Sequence, residues 1–103
     1  MNSLIDIQNN LLKYNDNEII IILDDKYEPW FSSSSVATVL EYARPNRAIT
    51  DHVDSSDKIQ CKFLRKFLKT VPSNFQPNAI YINYSGLFSL IFKSKRVHSL
   101  GHF

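Results

Sequence analysis

Residues 29–53, PWFSSSSVATVLEYARPNRAITDHV, decide the fold of this 103-residue chain. They predict a strand end, a helix capped by one of four serines, a sharp stop and a second short helix. Serine side chains accept hydrogen bonds from the free N–H groups of a helix start. Pro45 ends the first helix and disfavours helical backbone at Arg44, and Asn46 is the predicted cap of the second. This helix-turn-helix-like pair favours recognition over catalysis.

A helical wheel divides the second helix into an apolar and a polar side. The side predicted to face inward holds Ala48, Ile49, His52 and Val53. The side predicted to face outward holds Arg47, Thr50, Asp51 and Asp54. The two outward aspartates argue against deep insertion into a DNA groove. Helix N-termini suit phosphates, so the candidate contacts at this helix start are Arg44, Asn46, Arg47 and Thr50.

An antiparallel β-meander is predicted before the first helix. Residues 11–14, 19–23 and 27–31 have strand-like composition, and turn-forming Asn and Asp residues separate them. Pro29 donates no backbone hydrogen bond, which places its strand at an edge or limits its pairing. Residues 1–10 form an N-terminal extension whose apolar residues fit either a strand or a frayed helix.

The charge of the chain is unevenly distributed along the sequence. The first 57 residues carry four cations against ten acids, a net charge of −6, whereas the rest carries eight cations and no acid, a net charge of +8. Such an asymmetry indicates a polyanion as partner.

Residues 58–69 predict a basic amphipathic helix. One side, predicted to lie in the core, holds Ile59, Phe63, Leu64, Phe67 and Leu68. The opposite side is a basic strip formed by Lys58, Lys62, Arg65, Lys66 and Lys69. This strip is either a contact surface for phosphates or an ordinary solvated face, and the spacing alone does not decide between them.

The last third of the chain predicts a loop, a strand and a final helix. Residues 71–77 form the loop, residues 79–82 the strand, and Ser85 is a candidate cap for a helix around residues 87–92. That helix is apolar nearly all round, so we expect it to be buried. The cations at its end, which either complement the helix dipole or contact phosphates, are Lys93, Lys95 and Arg96. Residues 97–103 show no pattern and form an irregular tail.

Several kinds of site have no support in the sequence. The chain has two glycines and no glycine-rich phosphate loop, and His98 and His102 have no evident third metal ligand. Cys61, the single cysteine, has cationic neighbours that could lower its pKa, but no catalytic partner is evident. His52 is expected to be a packed core histidine. We therefore expect no enzyme, cofactor, metal or small-molecule substrate.

The composition also bounds size and location. A chain of 103 residues predicts one domain with a modest core. No stretch approaches the roughly 20 apolar residues of a membrane span, and the N-terminus lacks a secretion signal. We expect a protein that is intracellular and not secreted, without a membrane partner.

Two strings in the sequence resemble one known family. They are residues 29–58, PWFSSSSVATVLEYARPNRAITDHVDSSDK, and residues 71–95, VPSNFQPNAIYINYSGLFSLIFKSK. Both are similar to the BRO-N domain, found in antirepressor-like proteins of large DNA viruses and phages, and the likeness extends over residues 11–95. The resemblance implies an α+β fold, an association with DNA binding and transcription regulation, and a location in the host cell nucleus or cytoplasm.

The sequence departs from the family pattern at several positions. The family usually has a lysine and an aspartate within the four residues that are serines here, at 32–35. Its usual glycine after Leu40 is Glu41, and its usual acid before the Ser-Gly pair is Tyr84. The family continues with a further amphipathic helix, so residues 11–96 look like a BRO-N domain without its last element.

The leading hypothesis is a non-enzymatic DNA-binding module, with mainly electrostatic contacts of low sequence selectivity to duplex or single-stranded DNA. A second copy of the chain, in a homodimer, is a further candidate partner. The alternative is a protein-interaction domain or truncated remnant that keeps the fold without useful DNA affinity.

Overall fold

A computed structural model describes residues 3–6, 11–14, 17–68 and 76–94 of the chain. It contains one sheet whose neighbouring strands are all antiparallel. The strands are β1 (Ser3–Asp6), β2 (Leu11–Tyr14), β3 (Asn17–Leu23), β4 (Pro29–Ser32), β5 (Lys58–Gln60) and β6 (Ile80–Ile82). Their order across the sheet is β1-β2-β3-β4-β6-β5. The predicted α+β class and the N-terminal meander are confirmed.

The helices are short and follow the strands. They are α1 (Ser33–Val39), α2 (Pro45–His52), α3 (Cys61–Leu64) and α4 (Tyr84–Lys93). Two single turns of 3-10 helix lie at Ser55–Asp57 and Arg65–Phe67. The predicted pair of short helices is confirmed as α1 and α2.

Alternate residues of β3 serve two cores on opposite faces of the sheet, as the period of two in a strand requires. Ile19 and Ile21 join a core that α1, α2 and α4 cover. Ile22 joins a second core, which contains Cys61 and Leu64 of α3. The sheet therefore lies between three helices on one face and the α3 segment on the other.

The single helix predicted over residues 58–69 is wrong at both ends, since the α-helix covers only Cys61–Leu64, a 3-10 turn follows, and Leu68 is extended and pairs with Asp24. Lys58–Gln60 is a strand, with Ile59 paired to Tyr81 of β6, and helix begins only at Cys61. Pairing with a distant strand satisfies these backbone groups, and it outweighs the local apolar spacing. Phe63 and Phe67, predicted to be core residues, are 54% and 44% exposed.

Two predicted caps also need correction. Helix α2 begins at Pro45, because proline is pre-organised for the first helical position, so Asn46 lies inside the helix. Helix α4 begins after Asn83, whose side-chain oxygen accepts a hydrogen bond from the N–H of Gly86 at 3.0 Å. Ser85 is therefore also inside its helix. At α1 the cap is Ser32, the first of the four serines.

Strand β4 lies inside the sheet, so the edge alternative for Pro29 is wrong. Pro29 instead sits at the strand end opposite Leu23, and β6 pairs only with Phe31 and Ser32. The alternative of limited pairing is the one observed. In the N-terminal extension, the strand alternative holds for Ser3–Asp6, which pairs with β2.

Helix α4 is less buried than predicted. Gly86 and Leu90 are buried against the rest of the fold. The opposite side carries Tyr84, Phe88 and Phe92, which are 54%, 50% and 62% exposed. The helix is apolar nearly all round, and the described part of the domain covers only one side of it.

Candidate nucleic-acid interface

A groove of about 380 Å³ runs between the helix pair and the β5–β6 end of the sheet. Its lining comes from α1, α2, β5, β6 and the turn before β6, and consists of Ser33, Ser34, Asn46, Ile49, Thr50, Lys58, Gln76, Asn78, Ala79 and Ile80. Ile49 is buried, and the polar lining residues Asn46, Thr50 and Asn78 are exposed. The groove thus offers amide and hydroxyl groups beside one ammonium group.

Three of the predicted contact residues meet in this groove. Asn46 and Thr50 lie one turn apart on α2, and Lys58 is brought to them by the pairing of β5 with β6. The Thr50 hydroxyl donates a hydrogen bond to the Asn46 carbonyl at 3.1 Å, so both residues belong to one polar face of the helix.

Two predicted arginines flank the groove without lining it. Arg44 precedes the first residue of α2 and is exposed. Arg47 is exposed too, but its Nε lies 3.1 Å from a carboxylate oxygen of Asp51, four residues along the helix. Because this ion pair offsets part of its charge, Arg47 has less to offer a phosphate than Arg44.

The remaining described part of the basic strip lies on α3 and the turn after it, on the opposite face of the sheet from α1 and α2. The backbone N–H of Lys62 donates to the carbonyl of Pro77 at 2.9 Å, which ties α3 to the turn that lines the groove. Arg65 and Lys66 are exposed in the 3-10 turn that follows. Lys69 lies outside the described residues.

Two aromatic residues of this surface were missed as candidates. The ammonium of Lys62 lies 5.2 Å from the ring centroid of Phe63, and that of Lys66 lies 5.3 Å from the ring centroid of Phe67. Both rings are substantially exposed. Aromatic residues interleaved with lysines provide stacking surfaces for bases beside phosphate contacts. The alternation of lysine and phenylalanine is visible in the sequence and is the signal that could have indicated this surface. The helical spacing instead led to the prediction that both rings lie in the core.

The C-terminal cations are not part of this surface in the described structure. Lys93 is exposed at the end of α4, and no described residue of α4 lines the groove. Lys95 and Arg96 lie outside the described residues, as do His98, His102 and the tail at 97–103.

The titratable side chains elsewhere have structural roles. Burial raises the pKa of the Cys61 thiol, so the expectation that its cationic neighbours lower it is wrong. His52 is half-buried, with its ring centroid 5.9 Å from that of Tyr42. A carboxylate oxygen of Asp57 accepts a hydrogen bond from the Asn83 amide at 3.2 Å. Within the described ranges, no three His, Cys, Asp or Glu side chains form a group that could hold a metal ion.

No helix in the described parts of the chain combines the length and apolar character needed to cross a membrane.

Comparison with known proteins agrees with the resemblance seen in the sequence. A Bro-N domain-containing protein of Acanthamoeba polyphaga mimivirus, itself uncharacterized, is 26% identical over 102 aligned residues, which cover 91% of this chain and 42% of that protein. A Bro-N domain-containing protein of Invertebrate iridescent virus 6 is 32% identical over 78 residues, 65% of this chain and 19% of that protein. The chain thus spans less than half of either relative. No solved structure matches it.

The family model of the BRO family N-terminal domain, Bro-N, matches residues 18–98. The match begins in β3 and includes both helices of the pair, the α3 segment and all of α4. Since it covers well over half of the sequence, the chain belongs to the Bro-N family.

Proposed function

We propose that this chain is a non-enzymatic DNA-binding module of a viral regulatory protein, acting inside the host cell in the nucleus or cytoplasm. The observation that carries this proposal is the convergence of two surfaces separated in sequence. The polar face of α2 meets Lys58 in one groove, and the Lys62 backbone joins the next basic segment to the same groove. Together they supply polar and cationic groups around the β5 edge of the sheet, which supports contact with a sugar-phosphate backbone.

Electrostatic contact dominates in this proposal. The described cations of the strip are Lys58, Lys62, Arg65 and Lys66, and the sequence has no acid after Asp57. Three to five phosphate contacts would give a slope of log K against log salt of roughly −3 to −5 on duplex DNA.

Sequence selectivity is expected to be low. Asp51 and Asp54 are exposed on the outer side of α2 and just beyond its end, where they would repel phosphates on both walls of a major groove. The start of α2, with Asn46, lies farthest along the helix from these two carboxylates. Shallow contact with the backbone therefore fits this surface better than insertion of a recognition helix.

Charge reversal in the strip tests the proposal. We expect K62E and R65E each to weaken binding to random duplex DNA and to reduce the salt slope by about 1, because each cation meets one phosphate. Both side chains are exposed, so circular dichroism melts should stay close to the wild type.

K26E is the matched control, since it makes the same charge change at an exposed turn before β4. Electrophoretic shifts on duplex and single-stranded DNA at two salt concentrations give the readout. If K62E and K26E weakened DNA binding equally, the basic strip would be an ordinary solvated face without its own phosphate contacts.

The second candidate function is protein interaction, and the exposed aromatic side of α4 is the observation that favours it. Wild-type protein that is folded but binds neither form of DNA would support this candidate.

A further inference from the structure

Helix α4 carries a continuous row of exposed aromatic rings. Ring centroids of Tyr84 and Phe88 lie 6.2 Å apart, and those of Phe88 and Phe92 lie 6.5 Å apart. The row continues inward from Tyr84 to the buried ring of Phe31 at 5.5 Å. We call Tyr84, Phe88 and Phe92 the aromatic face. Each member is at least half exposed, although large apolar side chains are normally buried.

We propose that the aromatic face binds the same face of a second copy of this chain, with the two α4 helices antiparallel. The three rings are evenly spaced, four residues apart. A two-fold axis at Phe88 therefore places Phe88 against the partner's Phe88, and Tyr84 against the partner's Phe92. A surface that matches itself in this way suits the isologous contact of a symmetric dimer.

The charges at the two ends of α4 favour the antiparallel arrangement. Lys93 is exposed at the C-terminal end. At the N-terminal end, Asn83 holds Asp57 through its side-chain amide at 3.2 Å and its backbone N–H at 3.1 Å. An antiparallel pair brings each Lys93 to the end where the partner's Asp57 lies. A parallel pair would bring the two Lys93 side chains together.

The size of the face predicts a weak dimer. A fully covered aromatic side chain buries roughly 150–250 Å², so three half-exposed rings offer about 300 Å² per copy. The rings of both copies then supply about 600 Å², against about 1,200–2,000 Å² in a stable interface. Neighbouring residues such as Ser85 and Ser89 must supply the rest, and we expect dissociation in the micromolar range or above.

A nucleic acid is the less suitable occupant of this face. Phosphate contacts supply most of the affinity of such binding, and Lys93 is the one cation of α4 in the described structure. The Phe63 surface, by contrast, combines exposed rings with several cations, and the groove combines polar groups with Lys58.

Sedimentation equilibrium from about 10 µM to 1 mM tests the pairing. We expect the wild type to associate reversibly and F88S to weaken the dimer at least tenfold, since Phe88 is at its centre. F63S is the matched control: it removes the same side chain at a similar exposure of 54% from a different surface, and should change association less than twofold.

F92S provides a second test at the most exposed ring of the face. A wild type that stays monomeric at 1 mM would overturn the proposal. So would equal effects of F88S and F63S on association. A monomeric wild type whose DNA affinity falls tenfold in folded F88S would instead assign the face to nucleic acid.

Discussion

Replacing Gly86 with alanine should destabilise the domain, because α4 approaches its neighbours too closely for a methyl group. A Cβ at this position would lie 2.9 Å from Ile82 Cβ, 3.2 Å from the carbonyl oxygen of Asp57 and 3.2 Å from Val53 Cγ1. None of these atoms is the end of a flexible side chain. Ile82 is completely buried and Val53 is 4% exposed, so neither can move into solvent.

Two opposing effects set the magnitude. Alanine within a helix is favoured over glycine by roughly 0.5–1 kcal/mol. Forcing an extra methyl group into a packed site costs about 1–3 kcal/mol. The three close contacts place Gly86 towards the upper part of that range, so G86A should lose about 1–2 kcal/mol of unfolding free energy. In a domain of this size, that lowers Tm by roughly 4–16 °C.

Urea unfolding followed by circular dichroism measures this difference. S89A in the same helix is the control, because it also gains helix propensity and loses only a hydrogen bond from the Ser89 hydroxyl to the Ser85 carbonyl. We expect S89A to remain within about 0.5 kcal/mol of the wild type. If G86A were as stable as S89A, α4 would not be packed against Ile82 as closely as the structure shows.

Two further predictions concern pH and the groove. Burial raises the pKa of Tyr81 from its ordinary value near 10 to about 12, so the folded state holds this proton more tightly. The resulting stability is complete below pH 10 and is lost as the pH rises from 10 to 12; thermal melts across this range should show a steeper decline in the wild type than in Y81F. Lysine in place of Ser34, which is exposed and lines the groove, should tighten DNA binding several-fold and steepen the salt slope by about 0.9. T38K, exposed on the same helix but outside the groove lining, should have a smaller effect in the same shift assay, and equal effects would show that the groove is not the contact.

The sequence predicted the elements that local chemistry determines. The predicted end of the first helix at Pro45 was wrong, because α1 already ends at Val39 and Pro45 is the first residue of α2. The serine cap of α1 and the run of isoleucines in β3 depend on residues within a few positions of one another. Their structural counterparts were correct, apart from shifts of one or two residues at the caps. Each of these helix starts offered two nearby candidates. Helix α2 begins at Pro45 and not after Asn46, and α4 is capped by Asn83 and not by Ser85.

The sequence could not predict what distant pairing creates. Residues 58–60 have the apolar spacing of a helix, but β6, some 20 residues later, draws them into the sheet. The groove has the same origin, since Lys58 reaches Asn46 and Thr50 only through that pairing. Spacing also shows which residues share a side of a helix, but not whether anything covers that side. The exposure of the Phe63 and Phe88 rings therefore did not follow from helical spacing alone.

One departure from the family pattern, at Glu41, strains the backbone. Glu41 has φ 61°, in the left-handed region, at the position where the family usually has glycine. Glycine adopts this conformation readily, whereas other residues lose about 1–2 kcal/mol. The conformation is kept because Tyr42, the next residue, is held twice: its N–H donates to the Ala37 carbonyl, and its hydroxyl donates to the Leu90 carbonyl at 2.7 Å.

Residues 32–35 are serines where the family usually has a lysine and an aspartate, and the fold is kept. Ser32 caps α1, Ser33 donates to the Ile80 carbonyl at 2.8 Å, and the Ser35 hydroxyl accepts from the Ile20 N–H at 3.5 Å. The hydroxyls of Ser33 and Ser35 join α1 to β6 and β3, a role that needs a short polar side chain rather than a charge. Ser34 alone of the four is exposed, and it faces the groove. A substitution at Ser34 is therefore expected to change the groove and to leave the hydrogen bonds of Ser33 and Ser35 in place.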